Sequence, residues 1–240
     1  MSLLDSLNVP TIPPQRVPIK TLIEQLQPSS DNKRLIMDAV GRIDLVSLLN
    51  DQTIHIRPYK DEEYSYQAIY VLQITLKKEE RLTDLSIQLH SAFPEPTILL
   101  FNHGEKEWIS VAPKRINKLD QTKTVIDDIV VQQLNNEVNE FIKFTNITAI
   151  NLKDYYQQIV QLIYKVGVYN VIHVFPKQDM DYKSIIKEYQ QIISNINNLK
   201  EQYKKATMKS EKMKIDDQIY DEEIKQKRIL KELKGDITNG

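Results

Sequence analysis

Lys114, Arg115, Asn117, Lys118 and Lys123 form the densest group of side chains able to hold an anion. Arginine offers a planar fork of N–H donors, lysine a point charge and asparagine an amide. A turn presenting them suits phosphate or a nucleic-acid backbone. The competing reading is a solvated turn whose Lys-Arg pair bonds Asp120 or another nearby carboxylate. A second group is acidic. Asp61, Glu62 and Glu63 precede a strand-like run containing Gln73-Ile74-Thr75-Leu76-Lys77. Restriction-type nucleases place a carboxylate ahead of a strand carrying Glu-x-Lys, so that two carboxylates hold a divalent cation and the lysine assists water. Here glutamine stands in the acid's place, threonine in the lysine's, and Lys77 comes two positions late. A decayed or coincidental pattern is the better account.

Other chemistry is thinly supplied. His55, His90, His103 and His173 fall in four separate elements, and none makes a pair at helical ligand spacing. The absence of cysteine excludes disulfides, thiolate nucleophiles and cysteine-based metal sites. Only five glycines occur, with no glycine-rich phosphate loop and no Gly-x-Ser-x-Gly. Trp108 and Tyr70 could stack a base, but aromatics within strands usually belong to a core. The expectation is no catalytic residue set, no metal site and no cofactor.

The elements that would carry these residues are legible in outline. Leu82, Leu85, Leu89 and Phe93 share one helical face, and Pro94 and Pro96 stop that helix. Thr97-Ile98-Leu99-Leu100-Phe101 suits a strand covered on both faces. Asn102-His103-Gly104-Glu105 suits a hairpin turn into a return strand, Trp108 to Ala112. The basic segment Pro113 to Asp120 then leaves the sheet. Upstream lie a proline-punctuated arm, a short helix over Lys20 to Leu26 and a helix capped by Ser29-Ser30-Asp31. That second helix runs to about Val40, with Gly41 as its C-cap. Strands are predicted over Ile43 to Leu48, Gln52 to Arg57 and Tyr66 to Lys77. Downstream, Thr124 to Val131 reads as a strand, Asn136 to Phe144 as a helix and Leu152 to Val168 as an amphipathic helix.

Three segments resemble the bacterial family of domain of unknown function 4391. They are the opening Met1-Ser2-Leu3-Leu4-Asp5-Ser6-Leu7, the run Ser110-Val111-Ala112-Pro113-Lys114-Arg115-Ile116-Asn117, and the charged helical tail. Pro113 stands where the family usually has a histidine before the Lys-Arg pair. The resemblance implies a setting beside DNA methyltransferases and helicases of restriction or phage-defence clusters.

The predicted fold is α/β or α+β: a mixed sheet flanked by helices, followed by a helical hairpin or coiled-coil tail. Residues 1–177 would form the globular domain and residues 178–240 the tail. In the tail, Ile185, Tyr189, Ile192, Ile196, Leu199 and Tyr203 step by 4 and 3, a seam that could meet a protein partner. The continuation through Ile215, Ile219, Ile229 and Leu233 is interrupted by Glu222 and Gln226. A hairpin turning near Ala206 to Ser210 is favoured over one long helix. The 240 residues carry a formal net charge of −1, which does not indicate a strongly basic nucleic-acid binder. No signal peptide or membrane-spanning run is recognisable, so a cytoplasmic protein is expected.

These readings converge on a non-catalytic accessory or adaptor of a restriction-modification or phage-defence system, contacting DNA or a DNA-acting partner. A methyltransferase or helicase is the partner implied by the resemblance, and self-association through the tail is a further possibility. The alternative is a divergent metal-dependent nuclease of restriction-enzyme type.

Overall fold

In the computed structural model, residues 3–120, 123–176 and 180–238 are described. Two compact units divide the chain, Met1–Ile163 and Tyr164–Gly240. The expected boundary between Lys177 and Gln178 lies outside the described residues, as do Met1 and Ser2 of the opening motif.

The first unit begins with a short helix α1 (Leu3–Leu7) and an edge strand β1 (Gln15–Arg16). Helices α2 (Ile19–Leu26) and α3 (Ser30–Ala39) follow. The Ser29 hydroxyl accepts the backbone N–H of Asn32, as the sequence predicts for an N-cap. Gly41 is not a C-cap. Helix α3 passes directly into β2 (Val40–Leu49), with Val40 already extended. Gly41 instead sits at a register shift opposite β5, where an added Cβ would lie 3.2 Å from the Thr75 carbonyl oxygen. Glycine is needed there for close strand approach.

The predicted strand over Gln52 to Arg57 is also absent. Asn50 caps a four-residue helix α4 (Asp51–Ile54), its side chain accepting from Gln52 and Thr53. The Thr53 hydroxyl oxygen accepts in turn from the Asn50 backbone N–H, which completes a capping box. His55 ends the turn in the left-handed region at φ 57°. Local capping outweighed the β-branched residues here.

A small hairpin of β3 (Tyr59–Lys60) and β4 (Ser65–Tyr66) precedes β5 (Ile69–Leu76). Helix α5 (Leu82–Ser91) then crosses over to β6 (Thr97–His103), which lies parallel to β5. Gly104, at φ 60°, turns β6 into its antiparallel partner β7 (Lys106–Val111). The chain leaves the sheet as expected and makes a separate hairpin, β8 (Lys114–Ile116) with β9 (Thr124–Ile126). It returns as β10 (Val130–Leu134), so the run read as one strand is two.

The resulting six-stranded sheet has the order β1-β2-β5-β6-β7-β10, with one parallel pair among antiparallel ones. This is the mixed sheet expected of the α+β class. Leu22, Ile36, Leu85 and Leu89 pack with Ile43, Ile74, Leu99 and Phe101 in the core. Strand β6 is buried from Thr97 through Phe101, which explains its unbroken apolar run. Helix α6 (Asn136–Asn139) is far shorter than predicted, and a 3₁₀ turn (Phe144–Asn146) separates it from α7 (Leu152–Ile172).

In the second unit, α8 (Tyr182–Lys205) and α9 (Lys209–Thr238) form the favoured hairpin, turning at Ala206 to Met208. Ala206, Ile215 and Ile219 cluster with Leu199 near the turn. Further along, Ile192, Ile196, Ile229 and Leu233 are buried.

Candidate functional site

Two groups that are far apart in sequence meet at one place. Lys60, Asp61, Glu62 and Glu63 line a cleft of about 940 Å³ together with Ile116, Asn117 and Lys118. The junction is built by the backbone, for Ile116 donates its N–H to the Glu63 carbonyl at 2.7 Å. Asp61 is occupied as a turn-former. It accepts from the Tyr59 hydroxyl at 2.6 Å and from the backbone N–H groups of Glu63 and Tyr64. Those bonds, the Tyr59 hydroxyl foremost, hold its carboxyl below the usual aspartate value. Lys153 reaches from α7 over the same hairpin, its ammonium 3.6 Å from the Tyr64 ring centre and 4.9 Å from that of Tyr59.

The sequence-selected cations have different fates. Lys114, only 3% exposed, points into the protein. Its ammonium donates to the carbonyl oxygens of His90, Phe93 and Glu95, each at 2.7 Å. Those carbonyls lie at and just beyond the C-terminus of α5, where a cation complements unpaired acceptors and the helix dipole. Burial pushes Lys114 down to about 7, with Glu95 opposing part of the shift. Three carbonyl acceptors also favour the ammonium, since a neutral amine has only two N–H groups to give. With its donors committed, Lys114 is withdrawn from the anion-binding group. The solvated-turn reading fails for it as well.

Arg115 faces the other way and pairs with Asp127 at 2.7 Å. Lys123 pairs with Asp120 at 3.1 Å, and the Asn117 side-chain oxygen accepts from the Leu119 backbone. Lys118 lines the cleft. The charged residues of that lining are Lys60 and Lys118 against three carboxylates, an unfavourable balance for a phosphate chain.

His90 and the hydroxyls around it form a buried polar knot that sequence reading missed. The ring is fully buried, with Nδ1 at 2.5 Å from the Thr97 hydroxyl and Nε2 at 3.0 Å from that of Ser110. Burial, with Lys114 nearby, pushes its pKa well below 6.5 and leaves the ring neutral. Beside it, the Tyr156 hydroxyl of α7 accepts from the Ala112 N–H and donates at 2.7 Å to the Thr97 carbonyl. Burial pushes this phenol far above its usual value. These groups are committed to one another rather than aimed at open space. Among the described residues, no group of three or more histidine, aspartate or glutamate side chains could hold a metal.

The tail seam chosen from sequence is filled largely from within the hairpin. Ile192 and Ile196 are buried, Leu199 packs on the Ala206 cluster, and Ile185 and Tyr189 are half-buried. Of the six seam residues only Tyr203 is exposed. The polar interruptions are satisfied across the helices: Asn195 donates to Glu222 at 3.2 Å and Gln226 to the Tyr189 hydroxyl at 3.4 Å. Such bonds fix the register of α8 against α9.

Exposed apolar surface lies instead on the outer face of α9. Met213, Tyr220 and Ile224 are 61%, 62% and 49% exposed. At about 100° per residue they fall within roughly 20° of one line, opposite Ile215, Ile219, Ile229 and Leu233. The spacing of 7 and 4 was available in the sequence, hidden beneath the stronger inner seam.

The family model for DUF4391, a domain of unknown function, matches residues 9–226, and the chain belongs to that family. No curated protein and no solved structure matches it.

Proposed function

We propose that this member of the family is an accessory protein of a restriction or phage-defence system, working by assembly rather than catalysis. The sheet unit serves as a rigid body and the α8–α9 hairpin as the docking element. The observation that carries this reading is the second apolar stripe on α9. An exposed helix gains nothing for its own fold from Met213, Tyr220 and Ile224 on its solvent face, and such stripes mark helix-in-groove or helix-to-helix recognition. The committed state of His90, Lys114 and Tyr156 supports the non-catalytic half of the proposal. A protein partner is favoured over DNA because Lys114 is spent, Arg115 is paired and three carboxylates share the cleft. The family setting inferred from the sequence makes a methyltransferase or helicase the expected partner. Purifying the tagged chain from its native host, followed by mass spectrometry, tests this. A DNA-acting enzyme should be retained, and recovery of no other protein would overturn the reading. Plasmid DNA incubated with the protein and Mg²⁺ or Mn²⁺ should stay intact. Cleavage that Glu63→Ala abolishes would replace the proposal with the nuclease alternative.

A further inference from the structure

We infer that the outer face of α9 binds a second copy of itself, antiparallel, about a twofold axis at the level of Glu222 along the helix. The inference rests on the docking role proposed for the hairpin and names its first occupant.

Charge complementarity carries it. Met213, Tyr220 and Ile224 form the exposed line, and Lys231, the next residue on that line, is also exposed. Charged residues flank it on both sides: acids then bases about the middle of the helix, with Lys209 and Lys234 at the two ends of one flank. On one side stand Asp217 and Arg228, on the other Asp216 and Lys227, all exposed. When an antiparallel twofold brings two such helices together, each residue meets one on the same side of the line in the other copy. With the axis near Glu222, Tyr220 lies beside the other copy's Ile224, and Met213 beside the stem of the other copy's Lys231. The same axis sets Asp217 against the other copy's Arg228, and Asp216 against the other copy's Lys227. Each contact is generated twice. One placement of the axis therefore satisfies the apolar line and the four central charge pairs within about one residue, or 1.5 Å of helix rise, at the cost of setting Lys209 against the other copy's Lys234 at the ends of one flank.

A parallel pair does the opposite. It sets Asp216 against the other copy's Asp217 and Lys227 against the other copy's Arg228, which is repulsive on both flanks. Arg228 already holds Glu188 through one guanidinium nitrogen at 3.1 Å, and a guanidinium carries five N–H donors, enough to serve a second carboxylate. The contact is a single helix face and smaller than a standard interface of about 800 Å² per partner. Association is therefore weak and concentration-dependent, in the micromolar range. It weakens as salt screens the flanking pairs.

The test uses the full chain. Sedimentation velocity from about 1 to 200 µM, bracketing a micromolar dissociation constant, should show a monomer–dimer equilibrium. Asp217→Arg or Arg228→Asp alone should raise the dissociation constant about tenfold or more, and the two together should restore it. A protein that remains monomeric throughout, or a double variant without recovery, overturns the inference. Orientation is read separately, since the chain has no cysteine of its own. Tyr220→Cys protein mixed with Ile224→Cys protein should cross-link under mild oxidation, while Met213→Cys alone should not. Self-linking of Met213→Cys would mean a parallel pair and overturn the arrangement. If the protein stays monomeric yet still retains a DNA-acting enzyme through the hairpin, self-pairing fails and the docking role stands. If it dimerises but retains nothing else, the self-pairing holds and the accessory role fails.

Discussion

A buried lysine with three carbonyl acceptors is a joint, and Lys114 joins the end of α5 to the hairpin that leaves the sheet. Replacing it with methionine keeps the volume and the apolar stem but strands the carbonyls of His90, Phe93 and Glu95. Unsatisfied buried acceptors are costly, so Lys114→Met should lower stability by about 3 kcal/mol, read by urea unfolding. Arg115→Ala, which breaks one half-exposed pair, should cost no more than about 1 kcal/mol. The same turn thus holds two neighbouring cations with opposite roles. Strand alternation contained a signal for this, because Lys114 shares a parity with Ala112 and Ile116. The Lys-Arg pairing drew attention to charge instead.

His90 gives the residue scale its pH dependence. The folded chain keeps the ring neutral well below 6.5, while the unfolded chain protonates near that value. Below pH 6.5 the unfolded state therefore binds a proton that the folded state refuses. Stability is lost as pH falls, at up to about 1.4 kcal/mol per unit from this one group. The neighbouring Lys114 ammonium reinforces the effect. His90→Gln should be less stable than the natural protein at pH 7.5, and the gap should narrow between pH 6.5 and 5. Parallel stability curves for the two proteins would show that His90 is not the group responsible.

At the scale of elements, regular periodicity was legible and local exceptions were not. Helix α5, strands β6 and β7, helix α7 and the tail hairpin all follow apolar spacings that can be counted by eye. Two of the failures share a cause, which is a local hydrogen bond or close contact that overrides propensity. Asn50 and Thr53 close a capping box where a strand was expected, and Gly41 serves close packing where a cap was expected. Asn50→Ala should destabilise the protein by about 1 kcal/mol, checked by thermal unfolding, because it removes the acceptor for two N–H groups. A change below about 0.3 kcal/mol would show that the α4 turn is held by its neighbours instead. The cleft was half legible: each wall could be named from sequence, but not the bonds from Ile116 to Glu63 and between Tyr66 and Lys114 that bring them together.

At the scale of the whole molecule, His90 and Lys114 are buried while Met213, Tyr220 and Ile224 are exposed. The measurement that tests the role of that exposed face most directly compares two tagged proteins purified from the native host: the natural chain and the Tyr220→Glu, Ile224→Glu variant. Both positions are largely exposed, so the variant should unfold at the same temperature as the natural protein. The account predicts that the natural chain retains untagged copies of itself and a DNA-acting enzyme, and that the variant loses the untagged copies. Identical proteins retained in identical amounts by both would contradict it.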